Sequence, residues 1–204
     1  MVSKEVEKLL LKVQKPGRYV GGELNEVIKD KNEVDVRFAF CFPDTYEVGM
    51  SHLGMKILYS LFNSKDYIWC ERVFAPWIDM EQEMIDNNIP LYALESGDPV
   101  SDFDFIGFTL QYELSFTNML NMLKLSNIPI KTCDRTELKN IVVAGGPCVC
   151  NPEPIADFVD MFFVGEGEEV DLEVIDLYRK CRDENKSKTE FLELCSHIEG
   201  VYVP

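Results

Sequence analysis

Positive charge is scarce in this chain of 204 residues, which has 20 Lys and Arg against 36 Asp and Glu and a formal net charge of −16. Because proteins bind phosphate backbones through concentrated positive charge, the composition argues against a nucleic-acid-binding protein. No apolar run approaches the roughly 18 to 20 residues that cross a bilayer. The start, MVSKEVEKLLLKVQK, also lacks the apolar block and cleavage site of a signal peptide. These absences predict a cytoplasmic protein that has neither a nucleic-acid nor a membrane partner.

Histidine is also rare, and the cysteines do not form a recognisable motif. With only His52 and His197 in the chain, a His-based zinc site is hard to build. The seven cysteines, an odd number, lie mostly in apolar runs, which favours reduced thiols. Cys148 and Cys150 are two positions apart, which fits neither a C-x-x-C zinc site nor a radical-enzyme cluster. No catalytic triad or paired-carboxylate motif emerges, so the sequence does not indicate catalysis by this segment alone.

From Val34 onward, apolar runs of strand length alternate with amphipathic stretches of helix length. The predicted strands cover residues 34–42, 67–74, 103–110, 141–144 and 159–164, and the predicted helices cover 3–13, 50–62, 77–86, 114–125 and 168–182. This alternation predicts parallel strands joined by right-handed crossovers. We therefore expect a Rossmann-like (flavodoxin-like), doubly wound α/β fold with about five parallel strands in a three-layer αβα arrangement.

The chain divides into three predicted parts. Residues 1–33 form an N-terminal helix, ended by Pro16-Gly17, and a surface arm. Residues 34–182 form the α/β domain. Residues 183–204 form a linker that begins with a charged stretch and includes a short helix at 191–195. The final segment, IEGVYVP, is predicted to be extended and to be the cut end of a longer polypeptide.

The informative loops are those after the strands, because open parallel sheets bind ligands outside the carboxyl ends of their strands. The first such loop, PDTYEVGMSHLG, contains Asp44, Tyr46 and Gly49 ahead of a helix. It has no phosphate-loop motif and no Lys or Arg. Asp44 either caps the helix or belongs to a ligand site. His52 is either a polar residue of the first helical turn or a group that contacts a cofactor or metal.

Three further loops place small or polar residues at the same edge. Thr109 and Gln111 follow an apolar strand and offer hydrogen bonds. Gly145-Gly146 either admits a flat ligand or makes a sharp turn. In the loop from Val164 to Glu169, the helix dipole alone could explain Glu168 and Glu169, but it explains Glu166 less easily.

Taken together, the loops resemble the cobalamin-binding domain found at the N-terminus of cobalamin-type radical S-adenosylmethionine (SAM) proteins. Asp44-x-Tyr46-x-x-Gly49 stands in the place of that family's DxHxxG, and Thr109-x-Gln111 in the place of its S-x-L. Gly145-Gly146 matches its Gly-Gly, and Gly165-Glu166-Gly167-Glu168 is similar to the GEGE loop of the radical SAM subgroup. The longer phrases KPGRYVGGELN, FPDTYEVGMSHLGMKILY and GFTLQYELSFTNML are similar to an uncharacterised branch of iron–sulfur oxidoreductases.

This resemblance implies a module that holds base-off cobalamin at the C-terminal ends of the strands. Asp44, Tyr46 and Gly49 would shape the loop beneath the corrin. Thr109 and Gln111 would bond the nucleotide tail. The glycine loops would admit that tail through Gly145, Gly146, Gly165, Glu166 and Gly167. Ligation of cobalt by the protein is not expected, because the Tyr46 phenol, with an unperturbed pKa of about 10, is a poor replacement for imidazole.

The resemblance also implies a downstream radical domain of the same chain as the partner of this module. The 4Fe–4S cluster and S-adenosylmethionine would belong to that domain, since the motif C-x-x-x-C-x-x-C is absent here. Two alternatives remain open. The domain could have lost cobalamin and serve as a lid or interaction surface for the radical domain, or it could be a flavodoxin-like binder of another nucleotide.

Overall fold

The computed structural model describes residues 3–204, and its centre is one mixed six-stranded sheet. The strands are β1 (Val36–Phe42), β2 (Ile68–Phe74), β3 (Phe105–Thr109), β4 (Ile141–Gly145), β5 (Met161–Phe163) and β6 (Val201–Tyr202). Their order in the sheet is β2-β1-β3-β4-β5-β6. The first five strands pair in parallel, and β6 pairs antiparallel with β5. The predicted doubly wound α/β fold is therefore confirmed, with one short antiparallel strand added at the edge.

Helices cover both faces of the sheet. They are α1 (Lys4–Leu10), α2 (Tyr46–Ser51), α3 (Leu53–Asn63), α4 (Ile78–Asp86), α5 (Phe116–Leu125), α6 (Gly167–Asp183) and α7 (Lys188–Cys195). Buried side chains of α1, α4 and α5 pack in one apolar core, and those of α3, α6 and α7 pack in the other. All residues of β1 and β2 are buried, as expected for parallel strands covered on both faces.

The helix predicted at 50–62 is two helices, because the chain is extended at His52 (φ −78°, ψ 117°). The first of them, α2, begins four residues before the predicted start. Its continuation is interrupted because the His52 imidazole accepts a hydrogen bond from the Met55 N–H and so caps a new helix, α3. This break sets the position of His52 at the start of α3.

The C-terminal residues pack onto the sheet. A capping box between Ser187 and Glu190 starts α7, which is longer than the predicted helix at 191–195. Phe191 and Cys195 of α7 are fully buried in the core that α6 also lines. Part of the segment predicted as a linker therefore belongs to the packed structure, and the boundaries of the domains stay predictions.

The N-terminal arm is held along the edge of the sheet. The Val27 N–H donates to the Tyr59 hydroxyl oxygen (2.7 Å), and the Trp69 indole N–H donates to the Val27 carbonyl (2.9 Å). The exposed edge of β2 is further covered by residues 91–96, where the Leu94 N–H donates to the Arg72 carbonyl. Residues 1 and 2 of the predicted N-terminal part lie outside the described residues. Within residues 3–204, no helix has the length and apolar character needed to cross a membrane.

Candidate functional site

A cavity of about 310 Å³ lies between the sheet and the helices α3 and α6, at the carboxyl ends of the central strands. The chain leaves β1 toward β2 on one side and later returns to β3 on the other, so the cavity spans the point where the strand order reverses. Open α/β sheets bind ligands at such a switch point. The volume is at the lower end of the roughly 300 to 1,000 Å³ typical of small-molecule pockets.

The floor of the cavity is apolar and largely aromatic. Its lining includes Phe38 and Phe40 of β1, Val143 of β4 and Phe163 of β5. Gly107 of β3 is required here, because a Cβ atom on it would lie 2.3 Å from Cζ of Phe38. The Phe38 ring therefore lies over the backbone of β3. The floor suits a flat, apolar group of a ligand.

The predicted loops meet at the rim of this cavity. Seven residues predicted for cofactor binding line it: Thr109, Gln111, Gly145, Gly146, Gly165, Glu166 and Gly167. The Gln111 side-chain amide donates to the Thr109 hydroxyl oxygen at 2.8 Å, so these two polar groups form one unit. The carboxyl ends of β3, β4 and β5 thus bring together residues that are far apart in the sequence.

The two adjacent glycines of the third loop have different roles. A Cβ atom on Gly145 would have only the Cβ of Phe163, at 4.0 Å, as its nearest neighbour, so the missing side chain leaves space in the cavity. Gly146 has a φ of +97°, and a Cβ atom on it would lie 2.8 Å from the Leu110 carbonyl oxygen. Gly146 is therefore a requirement of the backbone, whereas Gly145 keeps the cavity open.

Tyr46, predicted to lie beneath the corrin, is not among the residues that line the cavity. It opens α2, where its hydroxyl donates to Oε1 of Glu23 (2.7 Å) and its ring packs edge-on against Phe74. Burial, together with the Glu23 acceptor, raises the pKa of Tyr46 to about 12. The phenolate form that could bind a metal is therefore disfavoured at neutral pH.

Asp44 and Gly49 also lie outside the cavity lining. A Cβ atom on Gly49 would lie 2.2 Å from Cε1 of Phe74, so this glycine serves close packing. Asp44 accepts a hydrogen bond from the Tyr112 hydroxyl at 2.8 Å and so joins the first loop to the second. Asp44 is not the N-cap residue of α2; Thr45 holds that position without a side-chain capping hydrogen bond, and its N–H donates to Oδ1 of Asp44.

His52 does line the cavity, at the start of α3. Its Nδ1 accepts from the Met55 N–H at 3.1 Å, and its ring packs 5.4 Å from that of Phe42. Since Nδ1 accepts, the neutral imidazole carries its proton on Nε2. His52 is thereby prepared to donate a hydrogen bond, and ligation of a metal through Nε2 would require the helix cap to break.

Sequence reasoning missed Asp171, which lines the cavity from α6 and is only 6% exposed. Its Oδ1 has no hydrogen-bond partner among the described residues. Burial, with a smaller contribution from Glu168, raises the pKa of Asp171 to about 8. A signal was present in the sequence, because Asp171 shares a helical stripe with the buried residues Val174, Ile175 and Tyr178.

The charge of the lining limits the possible ligands. Among the described residues, no Lys or Arg lines the cavity, whereas Glu166, Glu168 and Asp171 do. The same part of the chain has no group of three or more His, Cys, Asp or Glu residues arranged to hold a metal ion. Because phosphate binding usually relies on a cation, a lining that has acidic side chains and no Lys or Arg among the described residues favours an uncharged group over a phosphate.

A second and larger cavity, of about 620 Å³, lies on the other side of α3, against the N-terminal arm. Its lining includes Leu24, Met50, Tyr59 and Arg72. The Arg72 guanidinium is already paired with carboxylates, and this cavity does not include the loops after β3, β4 and β5. The smaller cavity at the strand ends is therefore the candidate site.

Comparison with known proteins identifies the family. An uncharacterised protein of Methanocaldococcus jannaschii is 39% identical over 113 residues, which cover 50% of this chain and 24% of the relative. The chain therefore matches about a quarter of that relative's length. No solved structure matches the chain significantly. The family model for the N-terminal region of radical SAM proteins matches residues 54–204. On this match, the chain belongs to the family of radical SAM protein N-terminal domains.

Proposed function

We propose that this domain holds base-off cobalamin, with the aromatic base of the nucleotide tail inserted into the cavity at the strand ends. The observation that carries the proposal is the position of the cavity. It lies at the switch point of the sheet and is lined by loops after β3, β4 and β5 that resemble those of cobalamin-binding domains.

The cavity fits an aromatic base in three ways. Its floor is aromatic, Gly145 leaves open space, and its lining, as far as the chain is described, carries no cation that would recruit a phosphate in place of the base. Cobalamin, when bound, supplies a redox-active cobalt ion at the centre of its corrin ring.

The residues of this chain would bind and orient the tail. Thr109 and Gln111 offer a hydroxyl and an amide at the rim, and Nε2 of His52 offers a donor on the opposite wall. Asp44 and Tyr46 act less directly, since their hydrogen bonds to Tyr112 and Glu23 fix the shape of the first loop. Cobalt would have no protein ligand, because Tyr46 points away and His52 caps α3.

The parent protein would be a radical SAM enzyme whose substrate is unassigned. Membership of the family implies a catalytic domain that carries S-adenosylmethionine and an iron–sulfur cluster. We propose that the catalytic domain follows this one in the same chain and that this domain presents the corrinoid to it.

The test is binding of cob(II)alamin to the purified 204-residue chain, followed by removal of free corrinoid and electron paramagnetic resonance. We expect retained cobalt whose spectrum lacks nitrogen superhyperfine splitting, as for base-off cobalt without a His ligand. The variant Gly145→Leu, whose side chain would fill the cavity, should retain none. Gly17→Leu is the matched control, because no atom lies within 4 Å of a Cβ at that position. Absence of retained corrinoid with the wild-type chain would contradict the proposal.

A second candidate, an interaction surface without cobalamin, is favoured by exposed apolar side chains at the same end of the sheet. Exposed residues of this kind in the loops and helix starts after the strands are Val48, Leu53, Trp77, Ile78, Leu114 and Val164. Exposed apolar patches mark binding surfaces in soluble proteins. If Leu53→Ser and Leu114→Ser abolish association with the catalytic domain while the wild-type chain binds no corrinoid, this second function is supported.

A further inference from the structure

Asp171 is a buried carboxyl group that the fold itself does not use. It lies on α6, one turn after Gly167. Gly167 has no side chain, and a Cβ atom added there would lie only 2.9 Å from Oδ2 of Asp171. Its side chain lines the cavity, and its Oδ1 has no hydrogen-bond partner within residues 3–204. Buried polar atoms are nearly always hydrogen-bonded, so an orphaned oxygen on a side chain that lines a cavity points to a ligand that completes it.

The other buried acidic residues of the described chain show that pairing is the rule in this protein. Each of them contacts a cation within 3.1 Å, in the pairs Glu71–Arg37, Glu95–Arg72, Asp160–Arg135 and Asp160–Lys188. Asp171 differs from all of them, since no Lys or Arg lines its cavity. The lack of a partner cation is therefore particular to the acid that lines the cavity and is not shared by the other buried acids.

Burial favours the neutral form of Asp171, with a smaller contribution from Glu168, and the other titratable groups that line the cavity are Glu166 and His52. Glu168 is on the same helix, Glu166 is on the loop before it, and His52 faces the cavity from the start of α3. An ionised carboxylate without a partner cation is costly in such an apolar space. The protonated carboxyl is a hydrogen-bond donor, which an acceptor on a ligand can satisfy.

We propose that the protonated Asp171 side chain donates a hydrogen bond to an unprotonated ring nitrogen of a flat heteroaromatic group inserted into the cavity. The aromatic floor supplies the contact for the ring face. This inference deepens the proposed function and rests on it for the identity of the ligand. If the ligand is base-off cobalamin, the acceptor is the free nitrogen of its dimethylbenzimidazole base. Asp171 then selects corrinoids by their base.

The experiment measures binding of 5,6-dimethylbenzimidazole and of cob(II)alamin by calorimetry to the 204-residue wild-type chain and to two variants. Asp171→Leu removes the donor. The affinity for each ligand should fall about fivefold to tenfold, which corresponds to the loss of one hydrogen bond. Asp171→Asn keeps an N–H donor and should bind within about twofold of wild type. Wild-type binding of the base should weaken above about pH 8, where the donor proton is lost, and Asp171→Asn should not show this loss. Thermal unfolding of each variant establishes that it is folded.

The outcomes separate the two proposals. If dimethylbenzimidazole binding depends on Asp171 but cob(II)alamin does not bind, the cobalamin function fails and this inference stands. If cob(II)alamin binds equally to wild type and Asp171→Leu, the inference is overturned and the function stands. Two results would mean that Asp171 is ionised and accepts a hydrogen bond, and would overturn the inference. One is tighter binding of the base at high pH, and the other is a loss of affinity in Asp171→Asn equal to that in Asp171→Leu. If wild type binds neither ligand, both proposals are overturned.

Discussion

Two regions of this domain bury carboxyl groups in opposite ways. Along the edge strand β2, Arg72 Nε lies 2.6 Å from Glu95 Oε1, and an Arg37 nitrogen lies 2.5 Å from Glu71 Oε1. Backbone N–H groups bind the second oxygen of each of these glutamates. In the cavity at the strand ends, Asp171 is buried to a similar extent, but within residues 3–204 it has no partner cation and its Oδ1 has no hydrogen-bond partner.

The difference separates carboxyl groups that hold the fold from one that, in our proposal, a ligand satisfies. The paired carboxylates connect β2 to the segment that covers its edge, so they stabilise the sheet where it would otherwise be open. An unpaired buried carboxyl only costs stability. Proteins commonly keep such a cost at binding sites, where stability is lost in favour of function.

Breaking a pair at the β2 edge should have the largest effect. Arg72→Leu leaves Glu95 buried without its cation, and we expect the free energy of unfolding to fall by about 3 to 5 kcal/mol. Urea denaturation followed by circular dichroism measures the change. The double variant Arg72→Leu with Glu95→Leu should recover much of the loss, since both charges of the more deeply buried pair are then removed, and Glu23, which also loses its cation, is partly exposed. A single-variant loss below about 1 kcal/mol, typical of surface pairs, would contradict a structural role for this network.

Removing the unpaired carboxyl group of Asp171 should raise the free energy of unfolding, whereas breaking the Arg72–Glu95 pair lowers it. Burial raises the folded-state pKa of Asp171 from 3.8 to about 8, so the folded chain keeps a proton that the unfolded chain releases. The free energy of unfolding of wild type should therefore fall, relative to Asp171→Asn, as pH rises from about 4 to about 8, and the gap should be constant above that range.

We expect Asp171→Asn to be more stable than wild type by more than about 1 kcal/mol at pH 8. Glu95, whose pKa burial raises to about 7, contributes a slope of the same sign to both proteins, so the difference between them isolates Asp171. Urea midpoints measured at several pH values provide the comparison. Parallel pH curves for the two proteins would show that Asp171 is ionised or paired in the folded chain.

The glycines at the cavity rim provide the smallest expected effect on stability. Gly146→Ala must adopt a φ of +97° and place its Cβ close to the Leu110 carbonyl, so we expect a loss of about 1 to 2 kcal/mol. Gly145→Ala meets no close atom and should change stability by less than about 0.5 kcal/mol. Thermal unfolding of both variants tests whether one glycine serves the backbone and the other the cavity. Equal losses would contradict that division.

The sequence predicted the fold and singled out the loops that line the cavity, because both depend on local patterns; that these loops bind a ligand stays a prediction. Apolar runs alternating with helices predict the parallel strands, and Gly145-Gly146 and the loop at 165–167 do line the cavity where the strands end. The strand β6 has only two residues, which is too short for a periodic signal.

The interior of the site depended on packing and could not be predicted in the same way. Tyr46 turns away because α2 begins at that residue, earlier than the apolar pattern indicates. Asp171 is buried because α3 packs against α6, where Leu58 approaches Gly167. The apolar stripe of α6 places Asp171 on the inner face of the helix, but the sequence does not show that this face lines the cavity.

The most direct test of insertion of the tail is a comparison of two corrinoids that differ only in that tail. Cobalamin carries the dimethylbenzimidazole nucleotide, and cobinamide lacks it. If the cavity takes the base, the 204-residue chain should bind cob(II)alamin at least about tenfold more tightly than cob(II)inamide, a difference of about 1.4 kcal/mol. Gly145→Leu should abolish the preference. Equal affinity of the wild-type chain for the two corrinoids would contradict the claim that the cavity at the strand ends is the binding site of the tail.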